Sequence, residues 1–150
     1  MPQSLSQNIV HIIFSTKNRR ACLAAETRHR LYPYMANLVR DRKSECYRIG
    51  GTEDHVHLAV RLSPTIALSK LISELKTGTS AWLKTADPAL ADFGWQDGYG
   101  AFSVGRQHLD ALIHYIDHQE EHHRKEDFQA EFRKFLQKYG VEYDENYVWG

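Results

Sequence analysis

Apolar and polar positions alternate most cleanly in His55-Val56-His57-Leu58-Ala59-Val60-Arg61-Leu62. Strand side chains point to opposite faces with a period of two, so Val56, Leu58, Val60 and Leu62 share one face, and His55 and His57 the other. Further along the period lengthens: from Arg106 to about Lys125, the residues Leu109, Leu112, Ile113 and Ile116 recur at helical spacing and define a core stripe. The rest of the chain parses into a strand (about 8 to 16), a helix (about 25 to 42) and two further strands (about 44 to 51 and about 54 to 62). A helix follows from about Thr65 to Thr85, with Ile66, Leu71, Ile72, Leu75, Trp82 and Leu83 as its apolar side, and then a strand or hairpin through Trp95 to Val104. The order βαββαβ predicts an α+β, ferredoxin-like antiparallel sheet.

Two helices are appended, over Arg106 to Lys125 and Asp127 to Lys138, the second turning Phe128, Phe132, Phe135, Leu136 and Tyr139 inward. Pro33 within the first helix is tolerated if that helix starts near Leu31 or kinks there. Such a fold leaves one sheet face covered by helices and the other open, with His55 and His57 on the open one.

Neighbouring same-face histidines place two imidazoles close enough to hold one ion, although a lone His-x-His is more often an ordinary exposed sheet face. The helix changes that balance. At about 100° per residue, Tyr115, Gln119 and His122 lie within about 60° of one another on a flank of the apolar stripe. His114 and His118 fall on the far side and read as solvated surface. Taken separately, a core-edge tyrosine and a helix-forming glutamine need no special explanation. Together with the histidine pair they fit a phenol oxygen attacking a phosphodiester held on a divalent ion.

At these residues the chain resembles the single-tyrosine HUH transposases of bacterial insertion sequences and their relatives, the REP-associated tyrosine transposases. Asn8 to Arg20 (NIVHIIFSTKNRR) is similar to the opening strand with its basic exit, and Gly50 to Leu62 (GGTEDHVHLAVRL) to the HUH strand. Trp95 to Val104 (WQDGYGAFSV) resembles the segment before the tyrosine helix, Tyr115 to His123 (YIDHQEEHH) that helix itself, and the stretch from Phe128 to Trp149 the tail of one branch. The resemblance implies Tyr115 as nucleophile, His55, His57 and Gln119 as ligands of Mg²⁺ or Mn²⁺, and single-stranded DNA bearing hairpins as substrate. It also implies cleavage through a 5′-phosphotyrosine, a homodimer whose subunits exchange their tyrosine helices, and association with the bacterial nucleoid.

Composition agrees with a single globular domain over residues 1–150: 42% of residues are hydrophobic and 25% charged, with no low-complexity run. No apolar stretch approaches the roughly 20 residues of a membrane span, and Met1 to Gln7 is too polar for a secretory signal, so a cytoplasmic protein is expected. Cys22 and Cys46 are isolated from each other and from the histidine pair, which favours reduced thiols over a bridge.

Charge is the feature that fits a DNA enzyme least, since 19 Lys+Arg against 19 Asp+Glu give zero formal charge and a pI near 7.1. Local clusters partly offset this. Lys17, Arg19 and Arg20 leave the first strand, Arg40, Arg42 and Lys43 end the first helix, and Lys70, Lys76 and Lys84 spread along the second. Of these, Lys17, Arg19, Arg20, Lys70 and Lys76 are the candidate phosphate contacts, with an ordinary solvated face or helix C-terminus as the equal alternative. Trp95, Tyr99 and Phe102 are candidate platforms for unpaired bases, with core packing as the equal alternative, and Gly94, Gly98 and Gly100 are expected to shape a turn or bulge. Two rival readings remain: a DNA-hairpin binding or regulatory protein of the same fold without turnover, and a zinc hydrolase with His122 or Asp54 as third ligand.

Overall fold

The computed structural model of the protein describes residues 3–150, so the first two residues of the polar opening segment lie outside the described residues. Strand β1 (Asn8–Ser15) is followed by helix α1 (Ala25–Asp41), strands β2 (Glu45–Gly51) and β3 (His55–Leu62), helix α2 (Leu68–Ala86) and strand β4 (Gly100–Val104). The four strands pair antiparallel in the order β2-β3-β1-β4, the ferredoxin-like arrangement expected from βαββαβ. Helices α3 (Leu109–Asp117), α4 (Gln119–His122) and α5 (Phe128–Lys138) follow.

Alternation along β1 and β3 sorts the sheet into two faces. Ile12, Phe14, Val56, Leu58 and Val60 pack with Leu31, Met35 and Val39 of α1 and Leu71, Ile72, Leu75 and Leu83 of α2 into one apolar core. The face expected to be open is covered. Ala59 and Ile9 meet Leu109 and Ile116 of α3, while Ile13 and Phe102 meet Phe128, Phe132 and Leu136 of α5. Two glycines permit the close approach: a Cβ on Gly50 would stand 2.6 Å from the Ile116 carbonyl oxygen, and one on Gly100 2.6 Å from the Phe132 ring. Gly100 is therefore a docking position for α5 rather than a turn former.

Several boundaries differ from the periodic pattern. Helix α1 begins at Ala25 and continues past Pro33 to Asp41 as one helix, rather than starting near Leu31. Helix α2 begins at Leu68, later than expected, since Ser63–Thr65 forms a hydroxyl-bonded turn around Pro64. The hairpin through Trp95 to Val104 reduces to β4 plus one bridge between Thr16 and Trp95. The single helix over Arg106 to Lys125 breaks at His118, whose φ of −109° and ψ of 25° end α3 and start α4. Trp95 and Phe102 are core residues, and Tyr99 alone of the three aromatic candidates is exposed. Both cysteines are free and half-buried. Among the described residues, no helix is long and apolar enough to cross a membrane.

Candidate metal centre and tyrosine

His55 and His57 project from β3 beneath α4 and α5, and both are fully buried. Each imidazole has one nitrogen held from behind. His55 Nδ1 donates to Asp54 Oδ1 at 2.7 Å and lies 3.0 Å from the Thr52 hydroxyl, which turns Nε2 toward the centre of the site. His57 Nδ1 is 2.8 Å from Nε2 of His11, a buried histidine of β1. Asp54 thus orients a ring from outside and does not face the centre, so it is not the third ligand that the hydrolase reading would require.

Gln119, buried at the start of α4, brings Oε1 to 3.2 Å from His55 Nε2. The break at His118 decides what else arrives. His122, expected on the same ridge as Tyr115 and Gln119, is exposed and stands edge-on against the Tyr115 ring. Its neighbour His123 turns inward instead, with its ring centroid 4.4 Å from that of His55. His114 and His118 lie outside, as their helical angle predicts. Arg28 of α1 steadies α4 by donating to Glu120 at 2.7 Å and to the Leu23 carbonyl at 2.6 Å.

The centre is occupied by a residue that the pattern did not single out, Glu131 of α5, which is 1% exposed. Its Oε1 is 3.0 Å from His57 Nε2, 3.2 Å from His123 Nε2 and 3.5 Å from His55 Nε2. The Tyr115 hydroxyl donates to its other oxygen, Oε2. One atom from each of His55, His57, His123 and Glu131 falls within 4.8 Å of the others, and this His-His-His-Glu cluster could bind a metal. His123 Nε2 supports the fit, because it is buried without a well-aligned hydrogen bond despite its nearness to Glu131. A signal for Glu131 was present, since it interrupts an apolar helical stripe between Phe128 and Phe135. His11 carries a similar one, a polar residue on the inward register of a buried strand.

Proton affinities follow from this crowding. Burial pulls His55 down, but the Asp54 and Glu131 carboxylates outweigh it and raise its pKa to about 9. Burial also lowers His57 and His11, and Glu131 only partly offsets it. For Glu131, burial opposes ionisation, yet His57, His123 and His55 hold its carboxyl far below the usual range. Burial and then the Glu131 charge push the Tyr115 phenol well above its ordinary value.

The five basic candidates lie elsewhere. Lys17 and Arg20 face Asp97 and Asp92, Lys70 faces Glu74, and Arg19 sits in the short turn after β1. Lys76 donates to the carbonyls of Gln96, Asp97 and Gly98, pinning the approach to β4 from within. Burial, only partly countered by Asp97, lowers its pKa to about 8. The cleft of about 510 Å³ that reaches Tyr115 is lined instead by His108, Leu112, Phe135, Lys138 and Tyr139, and Lys134 borders a second opening beside the same ring.

Residues 4–119 match the family model described as "Transposase IS200 like". A candidate transposase from Deinococcus radiodurans R1 has a similar structure, with a TM-score of 0.62 at 20% identity over 79% of this chain and 98% of that one. A REP-associated tyrosine transposase bound to a REP hairpin superposes with a TM-score of 0.61 at 17% identity, over 82% of this chain and 72% of that one. At such identities the two structures speak for the fold. No curated protein matches the chain.

Proposed function

Because the chain belongs to the IS200-like transposase family, we propose that it cleaves and rejoins single-stranded DNA through Tyr115, on substrates that carry hairpins. The observation that carries this reading is the meeting of the Tyr115 hydroxyl with the His55/His57 cluster through one shared carboxylate. A solved relative of the same fold is bound to a REP hairpin, which supports the choice of substrate.

Tyr115 supplies the nucleophilic oxygen. A bond forms between that oxygen and phosphorus, the bond from phosphorus to the 3′ oxygen breaks, and the phenolic proton is balanced by the proton the 3′ oxygen gains. The products are a 5′-phosphotyrosine and a free 3′-OH, and another DNA 3′-OH can reverse the exchange without ATP. His55, His57 and Gln119 would hold Mg²⁺ or Mn²⁺, which when bound neutralises charge on the scissile phosphate. Asp54 and His11 orient the two strand imidazoles, and Lys138 flanks the path to Tyr115, where it attracts phosphate, while Lys134 beside it is paired with Glu126. Lys17, Arg19, Arg20 and Lys70 remain candidate phosphate contacts farther out, where phosphate would compete with Asp97, Asp92 and Glu74 for Lys17, Arg20 and Lys70.

The chain works as one domain in the cytoplasm, associated with the nucleoid through its DNA. Within one chain the Tyr115 hydroxyl already meets Glu131 beside the histidines, which supports a site formed in cis, whereas the family resemblance implies exchange of tyrosine helices within a homodimer. Mixing Tyr115→Phe with His57→Ala protein tests this, since activity returns only if the sites form in trans.

The test of function is a denaturing gel of labelled hairpin-bearing single-stranded DNA, incubated with protein and Mn²⁺ or Mg²⁺. A metal-dependent covalent protein–DNA band, absent in Tyr115→Phe, is the expected result. The second reading is a hairpin-binding protein without turnover, favoured by the full burial of His55 and His57 and the cover that Glu131 places on Tyr115. Tight binding without a covalent band in either metal would establish that reading instead.

A further inference from the structure

Given that the histidine pair holds a divalent ion, we propose that Glu131 bridges that ion to the nucleophile: Oε1 joins the imidazoles as a protein ligand, and Oε2 holds the Tyr115 hydroxyl. The two oxygens already divide their partners in this way. Oε1 faces Nε2 of His57, His123 and His55 at 3.0, 3.2 and 3.5 Å, while Oε2 accepts from Tyr115.

Among the described residues no lysine or arginine pairs with this carboxylate, which is 1% exposed, so it stays charged only by drawing hydrogen bonds and protons from the imidazoles around it. Imidazoles can satisfy it only as hydrogen-bond donors. A divalent ion among the same donors satisfies both sets at once, because it neutralises the carboxylate and accepts the lone pairs of neutral imidazoles. His123 Nε2, buried without an aligned partner, is the second sign that the cluster is arranged for something other than hydrogen bonds alone.

The device lies outside the matched family segment, which ends at residue 119. Helix α5 is anchored by Phe128, Phe132 and Leu136 against Ile13 and Phe102, and Asp127 caps its first turn by accepting from the Ala130 N–H at 2.8 Å. A packed and capped helix therefore carries the bridge, and an ion bound there would tie α5 to β3 through Glu131. Glu131 is in this sense a positioning residue for Tyr115 as well as a ligand.

The experiment is Mn²⁺ titration of the metal-stripped full chain by calorimetry and by electron paramagnetic resonance, with hydrogen exchange of α5 amides read with and without Mn²⁺. Glu131→Gln and Glu131→Ala should weaken Mn²⁺ binding by about ten- to a hundred-fold and abolish the metal-dependent protection of α5. Tyr115→Phe, which touches only the other oxygen, should stay within about threefold of the parent. Glu131→Gln keeps the shape of the side chain and serves if the alanine variant does not fold. Unchanged or tighter Mn²⁺ binding in the Glu131 variants, with binding lost in His57→Ala, would overturn the bridge and leave the metal centre standing. Binding unchanged in His57→Ala as well would overturn the metal centre itself.

Discussion

The two faces of the sheet are lined by alternate residues of the same strands and are stabilised by opposite means. On one, Ile12, Phe14, Val56, Leu58 and Val60 meet the aliphatic stripes of α1 and α2, and what matters there is shape and buried apolar area. On the other, His11, His55 and His57 sit one residue out of step with those same side chains and meet Glu131, Gln119 and His123. Polar groups there lean mostly on one another, and His123 Nε2 is left without an aligned partner. The first face is indifferent to pH and ions, whereas the second depends on the protonation of its histidines and on what they coordinate. A fold of this kind can hold a reactive centre because the hydrocarbon face supplies stability that the polar face does not.

The comparison can be broken most strongly from the dry side. Leu58→Ala, at a fully buried position, should cost about 2–5 kcal/mol of unfolding free energy in urea. The folded fraction of that variant should still form the covalent DNA adduct at the parental rate. Loss of adduct in fully folded Leu58→Ala protein would mean that the two faces are not independent.

A somewhat smaller effect belongs to pH. His55 rises from its ordinary value of about 6.5 to about 9 in the folded chain, so its contribution is fully present below about 6.5 and is lost as pH climbs through 9. Metal-free protein should therefore lose up to about 3 kcal/mol between those limits, from the linkage of roughly 1.4 kcal/mol per pKa unit. Urea melts at either end of the window measure this, and His55→Gln should flatten the slope. A parental slope that persists in His55→Gln would assign the effect to another group.

The smallest effect comes from the ion. At about a hundred times its dissociation constant, Mn²⁺ should add about 2.7 kcal/mol of stability. Thermal melts should show that increment in the parent and in Leu58→Ala, but not in His57→Ala. An equal increment in all three would place the ion elsewhere.

Much of this arrangement is legible along the chain. The His55/His57 pairing needs only the strand's period of two, and the Tyr115–Gln119 spacing only the helix's 3.6, so both are local. Glu131 is different: its partner His57 lies 74 residues away, and no pattern along the chain pairs a glutamate in an aromatic stripe with that imidazole. The break at His118 is a second limit. It rotates the chain by enough to turn His123 inward and His122 outward, a change that a continuous helical wheel does not contain.

By itself, the sequence determined the order of elements, the face each strand residue takes and the family to which the matched segment belongs, because these depend on short-range periodicity and on motifs read in place. Only the tertiary structure decided that the second sheet face is covered, that Lys76 turns inward, and that His11, His123 and Glu131 complete the cluster around the histidine pair. Those outcomes depend on how α3 to α5 dock through Gly50 and Gly100, where a missing side chain sets the distance between helix and sheet and thereby places a carboxylate among the imidazoles.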